Sequence, residues 1–277
     1  ITVTEERKKS VLFSEPTYRG GVVVLVKKDK TAPPVFGKLA SFVRGLKESF
    51  YRTFILEDRY KLVLQGLYVT LLISVLSVIG GTLLGFGVCM MRRSRHALIS
   101  MAARIYIRAL QGTPILVLLM ILYYVVFGRV DIHAVFVAIL GFSLNFAAYA
   151  SEMLRSGIEA VDKGQIEAAR AIGFSRFQVF FRIVLPQAAK YVLPVFKGEV
   201  ISTIKMTSVV GYIAIQDLTK ISDIIRSRTY EAFFPLIVTA LIYFAIAYCF
   251  TALLTLIELK TDPLHRKRKV RGVKEQS

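Results

Sequence analysis

The sequence predicts an all-α membrane protein with five transmembrane helices and a short non-membrane N-terminal segment. Three observations lead there. The 277 residues are 55% hydrophobic with a mean hydropathy of +0.55, an average that soluble domains rarely reach. Five stretches approach or exceed the ~20 mostly apolar residues that cross a bilayer. The basic residues cluster directly behind apolar runs, at Arg92-Arg93-Ser94-Arg95 and Arg266-Lys267-Arg268-Lys269, which is the pattern of cytoplasmic loops. The net charge of +18 therefore reports membrane topology, and no nucleic-acid partner is expected.

Residues 1–60 do not read as transmembrane. Val22 to Val26 is a short apolar run between Gly20-Gly21 and Lys27-Lys28 and predicts a buried strand. Thr31-Ala32-Pro33-Pro34 reads as a linker. Lys38 to Ile55 has helical periodicity through Leu39, Phe42, Val43, Leu46 and Phe50. It fits either a helix on the membrane surface or an ordinary amphipathic connector. The chain opens on Ile1 without a signal-peptide pattern and reads as part of a longer polypeptide.

The five spans are expected at Gly66 to Met91, Ala103 to Phe127, Ile132 to Met153, Tyr191 to Ile215 and Phe233 to Ile257. The fourth is the weakest, because it carries Lys197, Glu199 and Lys205. In the first, Gly80, Gly81, Gly85 and Gly87 permit close helix approach. The Lys and Arg balance near the span ends places the N-terminal region outside and the C-terminal tail inside. The resulting domains are 1–30, a linker and connector over 31–60, a transmembrane domain over 61–260 and a basic cytoplasmic tail over 261–277.

That orientation puts the loop from Arg155 to Lys190 on the cytoplasmic side. Two short helical pieces, Gln165 to Ile172 and Ser175 to Ile183, are predicted to meet at Gly173, which permits a sharp turn. Ser175 suits the N-cap of the second piece. Small Ala168 and Ala169 allow a partner surface to come close, and Glu167 offers a charge-assisted contact.

Charged and polar residues at membrane depth are the next candidates. Glu152 has two readings. Either it faces the translocation path, with Asn145, Tyr149 and Ser143 extending a polar lining, or it forms an i,i+3 pair with Arg155. Glu199 and Lys205 fit a pore or an inter-subunit role, or a satisfied pair within the bundle. Gln216 to Tyr230 reads as an outer amphipathic helix, serving as a gate, a docking surface or a packed loop.

Cys89 and Cys249 lie in apolar runs and define neither a disulfide framework nor a metal site. The three histidines, His96, His133 and His265, lack ligand partners at metal-binding spacing. No Gly-x-x-x-x-Gly-Lys-Ser/Thr loop occurs, so ATP hydrolysis is not expected of this chain. No nucleophile, base and orienting group form a recognisable set. No cofactor is expected.

Glu167-Ala168-Ala169, Gly173, Ile183 and Leu185-Pro186, at this spacing, resemble the cytoplasmic signature of permease subunits of ATP-binding-cassette (ABC) importers. Gly112-Thr113-Pro114, the run from Tyr149 to Ile158, Gly164-Gln165, Pro186-Gln187-Ala188 and Thr207-Ser208 are similar to the polar amino acid branch of that family. The resemblance covers roughly residues 60–260. It implies a fold of the ABC importer permease type in the bacterial inner membrane, among membrane lipid. It implies a pore made with a second permease subunit, as a homodimer or a heterodimer. It implies separate ABC ATPase subunits docking on the loop, and an extracytoplasmic substrate-binding protein or fused domain. Met206, Thr207 and Ser208 become substrate-path candidates. Met206 stands where the family usually has an acidic residue, which argues against a strictly cationic substrate. The stretch from Thr4 to Tyr18, with Phe13-Ser14-Glu15-Pro16, resembles part of a periplasmic amino-acid-binding protein. It implies a truncated piece of such a domain fused ahead of the permease.

Overall fold

A computed structural model of the chain describes residues 11–13, 25–27 and 45–261. It divides into two compact units, Ile1–Tyr51 and Arg52–Ser277. In the first, strands β1 (Val11–Phe13) and β2 (Leu25–Lys27) pair antiparallel, with Leu12 opposite Val26. The predicted strand, Val22 to Val26, coincides with β2 at Leu25 and Val26; residues 22–24 and the Thr31–Pro34 linker lie outside the described residues. Residues 45–50 are helical, which agrees with the C-terminal part of the expected connector.

Among its described residues the second unit consists of helices joined by short connections. A π turn (Tyr51–Ile55) and a 3-10 turn (Leu56–Asp58) lead into α1, Arg59–Arg92. Glu57 and Asp58 take left-handed backbone angles, φ 59° and 54°, and so redirect the chain. The Arg59 guanidinium donates to the Arg52 carbonyl at 2.6 Å and to Glu57 at 2.8 Å, fixing that entry. Next come α2 (Ala97–Gly112), α3 (Ile115–Met120, continued by a π turn to Val126) and α4 (Ala134–Glu159). The loop helix α5 (Lys163–Ala171) and the short α6 (Arg176–Val179) precede α7 (Leu185–Met206). A 3-10 segment, Thr207–Ile213, leads to α8 (Leu218–Thr229), and α9 (Phe233–Thr261) closes the unit.

Four helices are long and apolar enough to cross a membrane, and a fifth crossing requires the bent pair α2–α3 to count as one span. Packing settles that count. Along α1, Gly81 meets Phe146 and Gly85 meets Ala150, and Arg92 at its end pairs with Glu152. Residue numbers rise together on both helices, so α1 and α4 run parallel. The pair α2–α3 between them must therefore carry the chain back across once. The predicted second span is not one helix: it breaks at Thr113-Pro114 with a 108° bend. Pro114 has no N–H and disfavours α conformation at the residue before it, and the Thr113 hydroxyl satisfies the Ala109 carbonyl at 2.7 Å.

Small residues decide how closely the helices pack. Gly66, Thr70, Ser74, Ser77, Gly81, Gly85 and Cys89 form the buried stripe of α1, at spacings of three and four that share one helix face. A Cβ on Gly81 stands only 2.7 Å from the Phe146 Cβ and 2.9 Å from the Ser143 carbonyl oxygen. Gly87 meets nothing within 4 Å and plays no such part. Helix α7 packs on α4 as well: Gly157 approaches the Ala188 carbonyl oxygen of α7, and Phe146 stands edge-on to Phe196 at 5.6 Å. By contrast α9 is apolar around its whole circumference and its spanning stretch is only 6% buried, as suits a lipid-facing helix. Polar links hold it at two places: Lys197 donates to Glu258 at 2.9 Å and to Thr255 at 3.3 Å, and the Tyr243 hydroxyl bonds Asp217 at 3.3 Å and Thr219 at 3.1 Å.

Candidate functional site

The loop from Val161 to Ala188 is a preformed unit with its own small core. Asp162 caps α5 by accepting from the Gln165 N–H at 3.2 Å. The helix then stops in a Schellman arrangement. Gly173, at φ 91°, donates to Arg170 at 3.0 Å and Phe174 to Ala169 at 3.1 Å, satisfying carbonyls left over at the helix end. Ser175 starts α6 as a capping box with Gln178, satisfying one donor on each residue. Val161, Ala169, Val179, Val184 and Ala188 are buried together, with Ile158, Ile166, Phe174 and Ile183 against them. The Gln187 amide donates to Gln165 at 2.6 Å and ties α5 to the start of α7.

The predicted hinge at Gly173 and cap at Ser175 are both present. The second helical piece, however, is not separate from the fourth span. A π turn over Phe180–Val184 joins α6 to α7 without a gap, and its wider hydrogen bonding accommodates Pro186, which lacks an N–H. The expected docking residues divide. Glu167, Ala168, Gly173, Leu185 and Pro186 are exposed. Ala169, at 4% exposure, and Ile183 face the loop's own core. The small size of Ala169 therefore serves internal packing rather than the approach of a partner.

Three residues missed in the sequence complete that surface. Ile172 is 74% exposed, Phe177 72% and Phe181 46%, and the Phe177 and Phe181 rings lie 4.4 Å apart. The available signal was large apolar side chains in a polar loop, two of them four residues apart.

Glu152 is not a free carboxylate. It accepts from Arg92 of α1 and from Arg155, the latter at 3.0 Å, and Arg155 also pairs with Glu159. The geometry matches the ion-pair reading and adds a partner 60 residues away that i,i+3 spacing does not reveal. Glu152→Gln is expected to cost about 1–2 kcal/mol, between an exposed and a buried pair. Thermal unfolding of the purified protein measures it; an unchanged melting temperature together with altered substrate affinity returns Glu152 to the path.

The other path candidates are dispersed. Asn145 is buried and donates to the Leu110 carbonyl at 3.3 Å, joining α4 to α2. Ser143 is buried against Gly80 and Tyr149 is partly buried on α4. Thr207 is fully buried and donates to Ile204 at 2.7 Å, and Met206 packs on the core around Ile73 and Phe142. Ser208, by contrast, lines open space.

That space is a run of adjoining cavities. One of roughly 400 Å³ is bounded by Ser208, Gly211, Tyr212, Thr219, Lys220 and Asp223. Ser208 and Thr219 also line a second, which continues to Lys205, Thr239 and Tyr243. Lys205 and Tyr243 in turn line a third between α7 and α9. A groove thus leads from α8 to Lys205, within the span; it is polar at its α8 end and mostly apolar further in.

Behind it, Asp217 is fully buried and caps α8 by accepting from the Thr219 and Lys220 N–H groups, each at 3.0 Å. Burial pushes its carboxyl above the usual range, against the pull of those hydrogen bonds. Glu199 is half-buried on α7 and has no hydrogen-bond or ion-pair partner among the described residues. Those residues also contain no cluster of His, Cys, Asp and Glu able to hold a metal.

A spanning bundle with a self-supporting loop on one side and a groove opening beside α8 on the other is an arrangement a transport component could use. Residues 77–263 match the family described as the binding-protein-dependent transport system inner membrane component. The chain belongs to this family. It is accordingly a multi-pass inner-membrane permease, working with a substrate-binding protein and a separate ATPase. A probable amino-acid ABC transporter permease protein of Bacillus subtilis is 36% identical over 214 residues, 77% of this chain and 95% of the relative. The octopine transport system permease protein OccM of Rhizobium radiobacter is 36% identical, covering 74% and 92% of the two chains. A putative glutamine transport system permease protein of Rickettsia bellii is 36% identical, covering 72% and 92%. Among solved structures, an amino acid ABC transporter crystallised with histidines superposes with a TM-score of 0.67 at 37% identity, over 75% of this chain and 98% of the other.

Proposed function

We propose that this permease serves an importer of polar amino acids, with the start of α1 outside and the Val161–Ala188 loop and C-terminus in the cytoplasm. One observation carries the substrate class: permeases named for amino acids and glutamine share more than a third of their residues with this chain along nearly their whole length. The structure supports a route for such a solute. The groove offers hydroxyls at Ser208, Tyr212, Thr219, Thr239 and Tyr243, two ammonium groups, Lys205 and Lys220, and the Asp223 carboxylate, a set suited to the two charges of a zwitterion.

In this reading the exposed loop residues Glu167, Ala168, Ile172, Gly173, Phe177 and Phe181 receive the ATPase, with Leu185 and Pro186 at the edge. The apolar side chains supply the buried contact and Glu167 a polar rim. A second permease subunit completes the pore. The charged outer face of α8, with Lys220, Asp223 and Arg226, meets the binding protein, and residues 1–30 belong to a fused domain of that kind.

The test is reconstitution in proteoliposomes with the ATPase and binding protein of the same system. ATP-dependent accumulation of a polar amino acid is expected. Accumulation of a different solute class, with every polar amino acid excluded, overturns the assignment.

A further inference from the structure

We infer that Arg104 and Arg108 of α2 line the loop-side half of the translocation path, where they favour anionic groups over cationic ones. This rests on the chain being a permease for amino acids; the wetness and charge of the α2 face are tested separately from that reading.

The argument begins with depth. Helix α2 starts next to Arg92, on the loop side, and rises about 1.5 Å per residue. Its last turns are pinned to the middle of α4. The Tyr106 hydroxyl donates to the Leu144 carbonyl at 2.6 Å, and Asn145 donates to the Leu110 carbonyl at 3.3 Å. Asn145 lies close to the midpoint of the 26-residue α4, which crosses the bilayer. Leu110 is therefore near mid-membrane, and Arg108 is only about 3 Å of rise away from it.

The helix has three faces. Ser100, Ala103 and Ile107 are buried against the bundle. Leu98, at 82% exposure, and Ile105, at 57%, form an apolar exposed face suited to lipid. Arg104 and Arg108, one turn apart and on the same side, form the remaining face. Both are exposed, and neither has a hydrogen-bond or ion-pair partner among the described residues.

An unpaired guanidinium facing hydrocarbon is costly. Half the hydrocarbon thickness, about 15 Å, separates mid-membrane from either surface, which is beyond the reach of the Arg108 side chain. Water at that depth resolves the conflict, and a transport path supplies it. The break at Thr113-Pro114 follows within two turns, and non-helical backbone at membrane depth is found where it is buried in protein or lines a cavity. Here Thr113 is exposed only in part, and residues 111 and 112 before it are exposed.

Two cations on one wall of a narrow wet path attract a carboxylate and repel an ammonium. The expected bias toward anions near one such charge is about tenfold, between the limits set by water and by a protein surface.

The test uses the full transporter in proteoliposomes with Cys89 and Cys249 replaced and a single cysteine introduced as Arg108→Cys. Negatively and positively charged water-soluble methanethiosulfonates are applied from the loop side, with rates normalised to a free thiol. The anionic reagent should react about tenfold faster, and adding Arg104→Gln should bring the two rates close to parity. Arg104→Cys, with Arg108 retained, repeats the measurement should the first variant fail to insert. Modification by a lipid-soluble maleimide alone places the face in lipid and overturns the inference, as do equal rates for the two charged reagents. Amino acid uptake by the unmodified transporter is scored in parallel, so a wrong substrate class and a wrong α2 face give different results.

Discussion

Phe177→Asp should abolish capture of the ATPase while leaving the permease inserted and folded. Phe177 is 72% exposed beside Phe181, on a loop whose Schellman turn, capping box and small core hold it in place. An exposed aromatic on a rigid support fits the description of an interface anchor, and truncating such an anchor typically costs ~2 kcal/mol or more, or roughly 30-fold in affinity. Introducing a carboxylate adds its desolvation to that loss. Ile172→Asp should act in the same direction. Glu167→Lys should weaken coupling less, because a rim charge contributes less than a buried ring. Co-purification with the ATPase from detergent and ATP-dependent uptake measure the effect. A Phe177→Asp protein that retains its ATPase and transports normally rules out this surface as the docking site.

The largest effect on folding is expected at Gly81. Its absent side chain lets α1 and α4 touch, and a Cβ there meets both the Phe146 Cβ and a backbone oxygen of α4 at under 3 Å. Backbone cannot move aside as a flexible side chain can, so Gly81→Val must force the two helices apart. Overpacking of this kind costs ~3 kcal/mol or more. The displacement also disturbs Gly85 against Ala150 and the Arg92–Glu152 pair on the same crossing. The protein should be lost from the membrane fraction or melt far earlier in detergent. Gly87→Val is the control: it lies on the same helix with open space around it and should be nearly neutral. Equal melting temperatures for the two variants remove the packing argument.

These two predictions draw on different amounts of sequence information. The loop was legible because its features are local: Asp162, Gly173 and Ser175 act on backbone groups within a few residues, so their types and spacing reveal the turn. The glycines of α1 were legible as a property, close approach, but not as a pairing. Gly81 and Gly87 look alike in the sequence, and only the position of α4 separates them. The second span was misread as one helix because its hydropathy is continuous, whereas Pro114, the packing of Leu119 at Gly141 of α4 and the tie from Asn145 to Leu110 go with a bend. Ile172, Phe177 and Phe181 were missed because apolar residues in a short helix read as core until their exposure is known.

Glu152 illustrates the same division. Its charge at the membrane edge marked it as needing a partner, and Arg155 was the partner within local reach. Arg92 was out of sight, since it lies 60 positions away in the chain and only the parallel crossing of α1 and α4 brings the two together. Asn145 was read as path-lining from its polarity and Thr207 from the family resemblance, and folding spends both side chains on the Leu110 and Ile204 carbonyls.

By itself the sequence determined the membrane class, the apolar runs, the loop's turn chemistry and the family signature, because hydrophobic length and local hydrogen bonding are properties of neighbouring residues. Tertiary structure decided which glycines are contacts, that the bent α2–α3 pair crosses once, which polar groups are spent on helix ties and which face open space. Those outcomes depend on residues far apart in the chain being brought to the same depth in the bilayer.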